Sequence, residues 1–287
     1  MAKWLEKITE RILTVSALIS AFITVLIFAF LLIFGLPLLQ GGQWFGLLAH
    51  PWSPREGLYG IQPMLLGTVY ISLLGMAFAL PLSFGCAALI SVFAPRGFGG
   101  FLRKVVQLMT GVPTVVYGFV GIFLLVPMVR EIFQGGSGMC VLTASLMLAV
   151  VISPTLILFF VDGFDRAPRS YLDAVAALGG NEVQQFLFVI LPNAWRSALS
   201  GIVLAFGRAL GDTLIALMIA GNAVQVPGSV LESARTLTAH IALVIAADYD
   251  SPEFKSIFAC GLTLYLFSTM MVVLIRSIGA IFGRKEK

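Results

Sequence analysis

The chain has 287 residues, of which 59% are hydrophobic and only 11% charged. A water-facing surface needs roughly 25% charged residues, so this composition excludes an ordinary soluble domain and points to a protein whose outside faces lipid. The net charge of +4 is not gathered into one basic patch. The positive residues recur between apolar runs, which is a topology signal and excludes a nucleic-acid footprint.

The first residues mix Lys3, Glu6, Lys7 and Glu10 with Trp4, Ile8 and Ile12. Their i, i+4 spacing predicts a short helix over 1–11 lying in the membrane interface. Six apolar segments then have the ~20 residues needed to cross a bilayer. They are 12–39, 63–93, 105–129, 139–161, 197–222 and 256–281. The prediction is therefore an all-α, six-span helix bundle forming one membrane domain over 1–287, with long loops at 162–196 and 223–255.

Lys and Arg residues divide 13 to one side and 4 to the other, with Arg208 left inside a span. The rich side holds Lys3, Lys7 and Arg11, then Arg96, Arg103 and Lys104, then Arg166, Arg169 and Arg196, then Arg276, Arg284, Lys285 and Lys287. Both termini are accordingly expected in the cytoplasm. Trp44 and Trp52 fall in the first outer loop, where interfacial anchors belong. Pro81, Pro113 and Pro154 fall inside predicted spans, either as simple curvature or as kinks that shape a gated pathway. Cys86, Cys140 and Cys260 have no metal or disulfide spacing and read as packing residues. No repeat of one half in the other is visible, which weighs mildly against carriers built from internal repeats.

The inner loop 162–196 is patterned. Pro168 precedes Ser170, with Asp173 three residues on, in a capping-box-like arrangement. A short helix follows, and Gly179-Gly180 supplies a stop. Asn181 with Gln184 is a second start, and that helix is predicted to end at Leu191-Pro192. The residues alone leave two readings, a docking element or a solvated connector. Asp173-Ala174-Val-x-x-Leu-Gly179 followed by Val189-Ile-Leu191-Pro192 resembles the EAA loop of ABC importer permeases. That resemblance implies a type I permease fold and a helix that couples to an ATPase through Ser170, Asp173, Ala174, Gly179, Leu191 and Pro192. Asp173 stands where the family has Glu, which preserves charge at a helix N-terminus but shortens its reach. The sequence has no Gly-x-x-x-x-Gly-Lys-[Ser/Thr] loop, so ATP would be hydrolysed by partner subunits and no cofactor or enzyme activity is expected of this chain.

Arg208 lies roughly 16 Å along the fifth predicted span. Its burial costs on the order of 2.5–3.5 kcal/mol. Asp212, four residues on, is placed to pair with it on one helix face. The pair is either an internal salt bridge or an anion contact, with Arg208 turned to a wet pathway and Asp212 holding it in place. A guanidinium fork matches the oxygens of phosphate. Gly207 and Gly211 form a G-x-x-x-G pair that predicts close helix packing.

Gly207-Arg-Ala-Leu-Gly-Asp-Thr-Leu-Ile-Ala-Leu-Met-Ile-Ala-Gly-Asn222 resembles the fifth-span motif of phosphate-specific ABC permeases. Gly67-Thr-Val-Tyr70, Gly111-Val-Pro-Thr-Val-Val-Tyr-Gly118 and Thr236-Leu-Thr-Ala239 look like further segments of the same family. The motif's ending is closer to the PstC type than to the PstA type. The resemblance implies phosphate import with Arg208, Asp212 and Thr213 in the substrate pathway. It also implies a PstA-type second permease, two ATP-binding subunits and an extracytoplasmic phosphate-binding protein, all at a bacterial or archaeal plasma membrane.

Alternatives are a permease for sulfate or molybdate, or an ion-coupled carrier or channel using Arg208 and Asp212 as a charge relay. A membrane enzyme is disfavoured, since His50 and His240 are the only histidines and no catalytic constellation converges. The outer loop is expected to be amphipathic over 229–247, with His240 an ordinary interfacial histidine.

Overall fold

A computed structural model describes residues 2–39 and 43–283. The predicted cytoplasmic charges Arg284, Lys285 and Lys287, and the side chains of Lys3, Trp44 and Arg96, lie outside the described residues. Six helices are long and apolar enough to cross a membrane: Glu6–Gly35, Gln62–Phe93, Thr114–Phe133, Val141–Asp165, Glu182–Gly211 and Pro252–Ser277.

The first belongs to α1 (Ala2–Leu39), one unbroken helix. The short helix expected over 1–11 is not separate: from Ala2 onward it forms the first turns of α1, because no glycine or proline interrupts the chain there. Its 38 residues span roughly 57 Å, well beyond a ~30 Å hydrocarbon core, so the charged end projects past it. A short helix α2 (Gln43–Ala49) and the paired strands β1 (Trp52–Ser53) and β2 (Leu58–Tyr59) follow.

The centre of the bundle is α7 (Val141–Asp165), the most buried span. It runs parallel to α3 (Gln62–Ala88), with Gly75 against Ser145 and Leu148 at one level and Phe84 against Phe160 and Phe164 further along. Hydroxyls inside these helices are satisfied by their own preceding turn. Ser72, Ser145 and Ser153 each donate to the carbonyl four residues back, at 2.6, 2.7 and 2.6 Å. Such local pairing lets polar residues sit in an apolar bundle. Pro81 and Pro154 do fall inside α3 and α7. Cys140 and Cys260 are buried free thiols, in keeping with a packing role.

The third span departs from expectation. Residues 105–129 do not form one helix. Arg96–Thr110 is a separate amphipathic helix, α4, tied to the centre by Arg103 and Asp165 at 2.8 Å. The chain turns through Gly111-Val112-Pro113 and restarts as α5 (Thr114–Val120), a wide turn and α6 (Val126–Phe133). Pro113 causes the break, since it lacks an N–H and disfavours helix in the residue before it.

The loop after α7 holds α8 (Arg169–Ala177) and α9 (Glu182–Gln185). A wide turn, Phe186–Ile190, leads without interruption into α10 (Leu191–Gly211). The second loop helix therefore does not end at Leu191-Pro192, as predicted. Pro192 falls at the first turn of α10, where its missing N–H is tolerated. α10 runs antiparallel to α7: Gly163 meets Ala194 and Ser197, and Gly201 meets Phe159. After Gly211 the chain turns and forms α11 (Leu214–Ile219).

The long loop 223–255 closes the end of the bundle opposite α8. Gly221 and Asn222 adopt left-handed conformations, with φ of 83° and 58°. That turns the chain so that Ala234 N–H donates to Ala220 O and Asn222 N–H to Ala234 O. A Cβ on Gly67 would sit 2.3 Å from the Arg235 carbonyl, so only glycine admits this approach. Helix forms only over α12 (Leu237–Val244), less than the amphipathic stretch expected. The last span lies within α13 (Pro252–Gly283), whose Phe258 stacks on Phe34 of α1 and whose Tyr265 packs tilted against Phe28.

His240 is not interfacial; it is fully buried. Its Nδ1 lies 3.5 Å from Arg235, Nε2 3.2 Å from Ser256 Oγ, and its ring is edge-on to Trp52 at 4.4 Å. Arginine only donates, so Nδ1 accepts and Nε2 carries the proton. Burial, with Arg235 nearby, lowers its pKa to about 4. The open chain binds a proton below pH ~6.5, while the closed cap stays neutral until near 4. Cap stability should therefore be unaffected above pH ~6.5 and fall by ~1.4 kcal/mol per pH unit beneath it. Hydrogen exchange of Leu237–Val244 amides, corrected for intrinsic rate, should speed up between pH 7 and 5, and His240→Gln should flatten that slope.

Candidate functional site at the break in the fifth span

One face of α10 is covered by α7 and α3, burying Gly201, Ala205, Phe206, Ala209 and Leu210. The opposite face carries Asn193, Ser200, Leu204, Gly207 and Gly211, all exposed. A Cβ on Gly207 or Gly211 would meet nothing within 4 Å. The close packing predicted for this glycine pair is therefore absent among the described residues, and the face is free. Arg208 stands at the edge of this face, half-buried.

The predicted Arg208–Asp212 salt bridge does not form. The helix ends at Gly211, and Asp212 is extended, with φ −69° and ψ 123°. That dissolves the i, i+4 geometry. Asp212 Oδ1 instead accepts from Ile215 N–H at 2.8 Å, capping the first turn of α11. Arg208 forms no ion pair among the described residues.

The broken backbone is held from the cap. Thr238 Oγ1 donates to the Asp212 carbonyl at 2.9 Å, and Thr236 and Thr238 hydroxyls are 3.0 Å apart. Thr68 Oγ1 accepts from Leu237 N–H at 2.9 Å and donates to Met64 O at 2.8 Å. Thr68, Thr236 and Asp212 line a cavity of about 10 Å³, room for roughly one water. Thr213 is half-buried and its carbonyl accepts from Leu217 N–H at 2.9 Å.

Three segments far apart in sequence thus meet: Gly67–Tyr70, Arg208–Thr213 and Thr236–Ala239. Sequence reasoning assigned no role to Thr68, Thr236 or Thr238. Their only signal was membership of the segments that look alike across the family. Gly118 also converges here, lying against Met218 of α11.

The residues expected to couple to an ATPase lie apart from this cluster. Leu191 is some 26 Å along α10 from Arg208. Ser170 is the second residue of α8 and makes no cap; the helix starts after Pro168, whose fixed φ of −62° sets the entry. Asp173 and Ala174 are exposed on α8. Gly179 ends it at φ 78°, with Gly179 N–H on Ala176 O and Gly180 N–H on Val175 O, both 2.9 Å. That is a Schellman stop, and the predicted Asn181–Gln184 capping box follows directly with both bonds at 2.9 Å. Gln185 Nε2 donates to Leu172 O, fastening the two helices. The tip between them exposes Leu178 to 89%.

A broken membrane helix thus stands beside a free face, with a patterned helical loop at the opposite end of the bundle. The chain belongs to the family described as binding-protein-dependent transport system inner membrane component, matched over residues 79–285. It is a multi-pass membrane protein and a transporter component. It is 32% identical over 228 residues to the probable ABC transporter permease protein YqgH of Bacillus subtilis, covering 78% of this chain and 74% of that one. It is 28% identical over 270 residues to the phosphate transport system permease protein PstC of Xylella fastidiosa, covering 86% and 82%. Among solved structures, a bacterial ABC transporter involved in alginate import superimposes with a TM-score of 0.65 at 13% identity, over 96% of this chain and 98% of that one. The last likeness shows the shared type I importer fold.

Asp212→Ala should cost ~0.5–2 kcal/mol through the lost cap, while Asp212→Asn, which keeps an acceptor oxygen, stays near wild type. Thermal melting of the purified protein in detergent reads the difference.

Proposed function

We propose that this chain is the PstC-type permease of an ATP-driven phosphate importer, forming half of the translocation pathway by alternating access. The observation that carries the reading is Arg208, half-buried at the edge of a face of α10 that nothing among the described residues covers. A guanidinium does not face lipid cheaply, costing on the order of 2.5–3.5 kcal/mol or more. A face that combines Arg208, two glycines and Ser200 suits a wet channel shared with a second permease. Free of an ion pair to Asp212, the guanidinium keeps its donors for a passing oxyanion. Asp212 then acts on the backbone, fixing the break, and Thr213 follows it at the pathway wall.

The remaining assembly follows from this reading. Both termini and α8 are cytoplasmic. α8, with Ser170, Asp173 and Ala174 exposed and Gly179 at its stop, docks on an ATP-binding subunit, one of two. Leu191 and Pro192 join it to the fifth span. A PstA-type permease covers the free face, and the cap built on α12 receives an extracytoplasmic phosphate-binding protein. The membrane is a bacterial or archaeal inner membrane.

Arg208→Gln should lower phosphate uptake at least tenfold in reconstituted importer with assembly intact, and Arg208→Lys less so. Undiminished uptake by Arg208→Gln would remove the anion contact. Unlabelled sulfate or molybdate should fail to compete with labelled phosphate. Leu178→Asp places a charge at the exposed tip, and copurification of the ATP-binding subunits should drop while the permease itself melts normally.

A further inference from the structure

A second concavity, its wall more apolar than polar, lies between the α8-side ends of α7 and α10, about 420 Å³ in volume; its polar and charged residues are Asp162, Arg166, Asn193, Arg196, Ser197 and Ser200. We propose that this groove binds a phosphate group through Arg166 and Arg196.

The chemistry of its walls selects the ligand. Its charged residues are two arginines and one aspartate, a net positive set. Arg166 is held by Asp162 at 2.9 Å, four residues earlier on the same helix, and both side chains remain largely solvated. An exposed pair of this kind is worth little and yields readily to a doubly charged oxyanion. Arg196 has no carboxylate partner among the described residues; it lies 5.7 Å from the Trp195 ring, which steadies it. The hydroxyls are already committed, Ser197 to Phe159 O at 2.9 Å and Ser200 to Arg196 O at 3.0 Å. Asn193 spends one N–H on Val189 O at 2.7 Å and keeps the other. Recognition therefore rests on the two guanidinia, with Asn193 supplying one further donor.

The position gives the groove its meaning. Asn193 and Ser200 continue down α10 the same free face that carries Gly207, Gly211 and, at its edge, Arg208, while Ser197 packs on α7 beside it. Arg196 lies twelve residues, roughly 18 Å, from Arg208. The groove thus stands where the free face reaches the cytoplasmic end. That placement at the inner mouth of a pathway rests on the import reading above; the binding of a phosphate group does not. Two sources can supply such a group, inorganic phosphate leaving the pathway or the headgroup of an anionic inner-leaflet lipid.

The test uses the assembled importer purified in detergent and carrying Arg208→Gln, so that the contact higher in the span does not contribute. Equilibrium dialysis with labelled inorganic phosphate and native mass spectrometry with phosphatidylglycerol are compared with and without Arg166→Gln/Arg196→Gln. A tenfold or greater loss of phosphate binding assigns the groove to departing cargo. The same loss for phosphatidylglycerol assigns it to lipid. Arg166→Lys/Arg196→Lys should retain part of the affinity, which separates charge from folding. Equal binding of both probes to the paired backgrounds overturns the proposal, and it does so whatever Arg208→Gln does to uptake.

Discussion

A membrane interior tolerates no unsatisfied backbone, and the fifth span is where this chain meets that constraint most sharply. α10 stops at Gly211 in mid-bundle, leaving carbonyls and N–H groups that water would otherwise serve. Asp212 takes the Ile215 N–H, and Thr238 donates to the Asp212 carbonyl. Thr238 is itself placed by Thr236 and by Leu237 N–H on Thr68. The end cap therefore completes the break. Buried His240, with the partly buried Arg235 and Trp52, in turn holds the cap, so residues spread from 52 to 240 cooperate to keep one kink in one helix.

Much of this architecture was legible in the sequence. Six apolar segments gave six spans, because length and hydropathy are what a bilayer selects. The Gly179-Gly180 stop and the Asn181–Gln184 box were readable because they are local, each satisfied within a few residues. The errors have a common cause. Hydropathy does not see backbone direction, so 105–129 read as one rod although Pro113 divides it. The fifth span likewise appeared to continue past Asp212. Pairing Arg208 with Asp212 assumed a helix that ends one residue too soon.

The cap was the least legible part. Its contacts join residues such as Thr68 and Leu237, or Met139 and Ser233, through backbone and hydroxyl groups that leave no periodic signature. His240 looked like an interface residue because its neighbours in sequence are mixed. Its surroundings in space are Trp52, Arg235 and Ser256.

The uninterrupted course of the chain from Glu182 to Gly211 has a mechanical corollary. Arg208 sits at the far end of a stiff rod whose near end adjoins α8, some 39 Å away at 1.5 Å per residue. Tilting that rod by about 10° about its near end sweeps the guanidinium through roughly 7 Å, more than the width of an oxyanion. A modest push at the α8 end is thus geared up into a large displacement of the charge, with no relay of side chains between them.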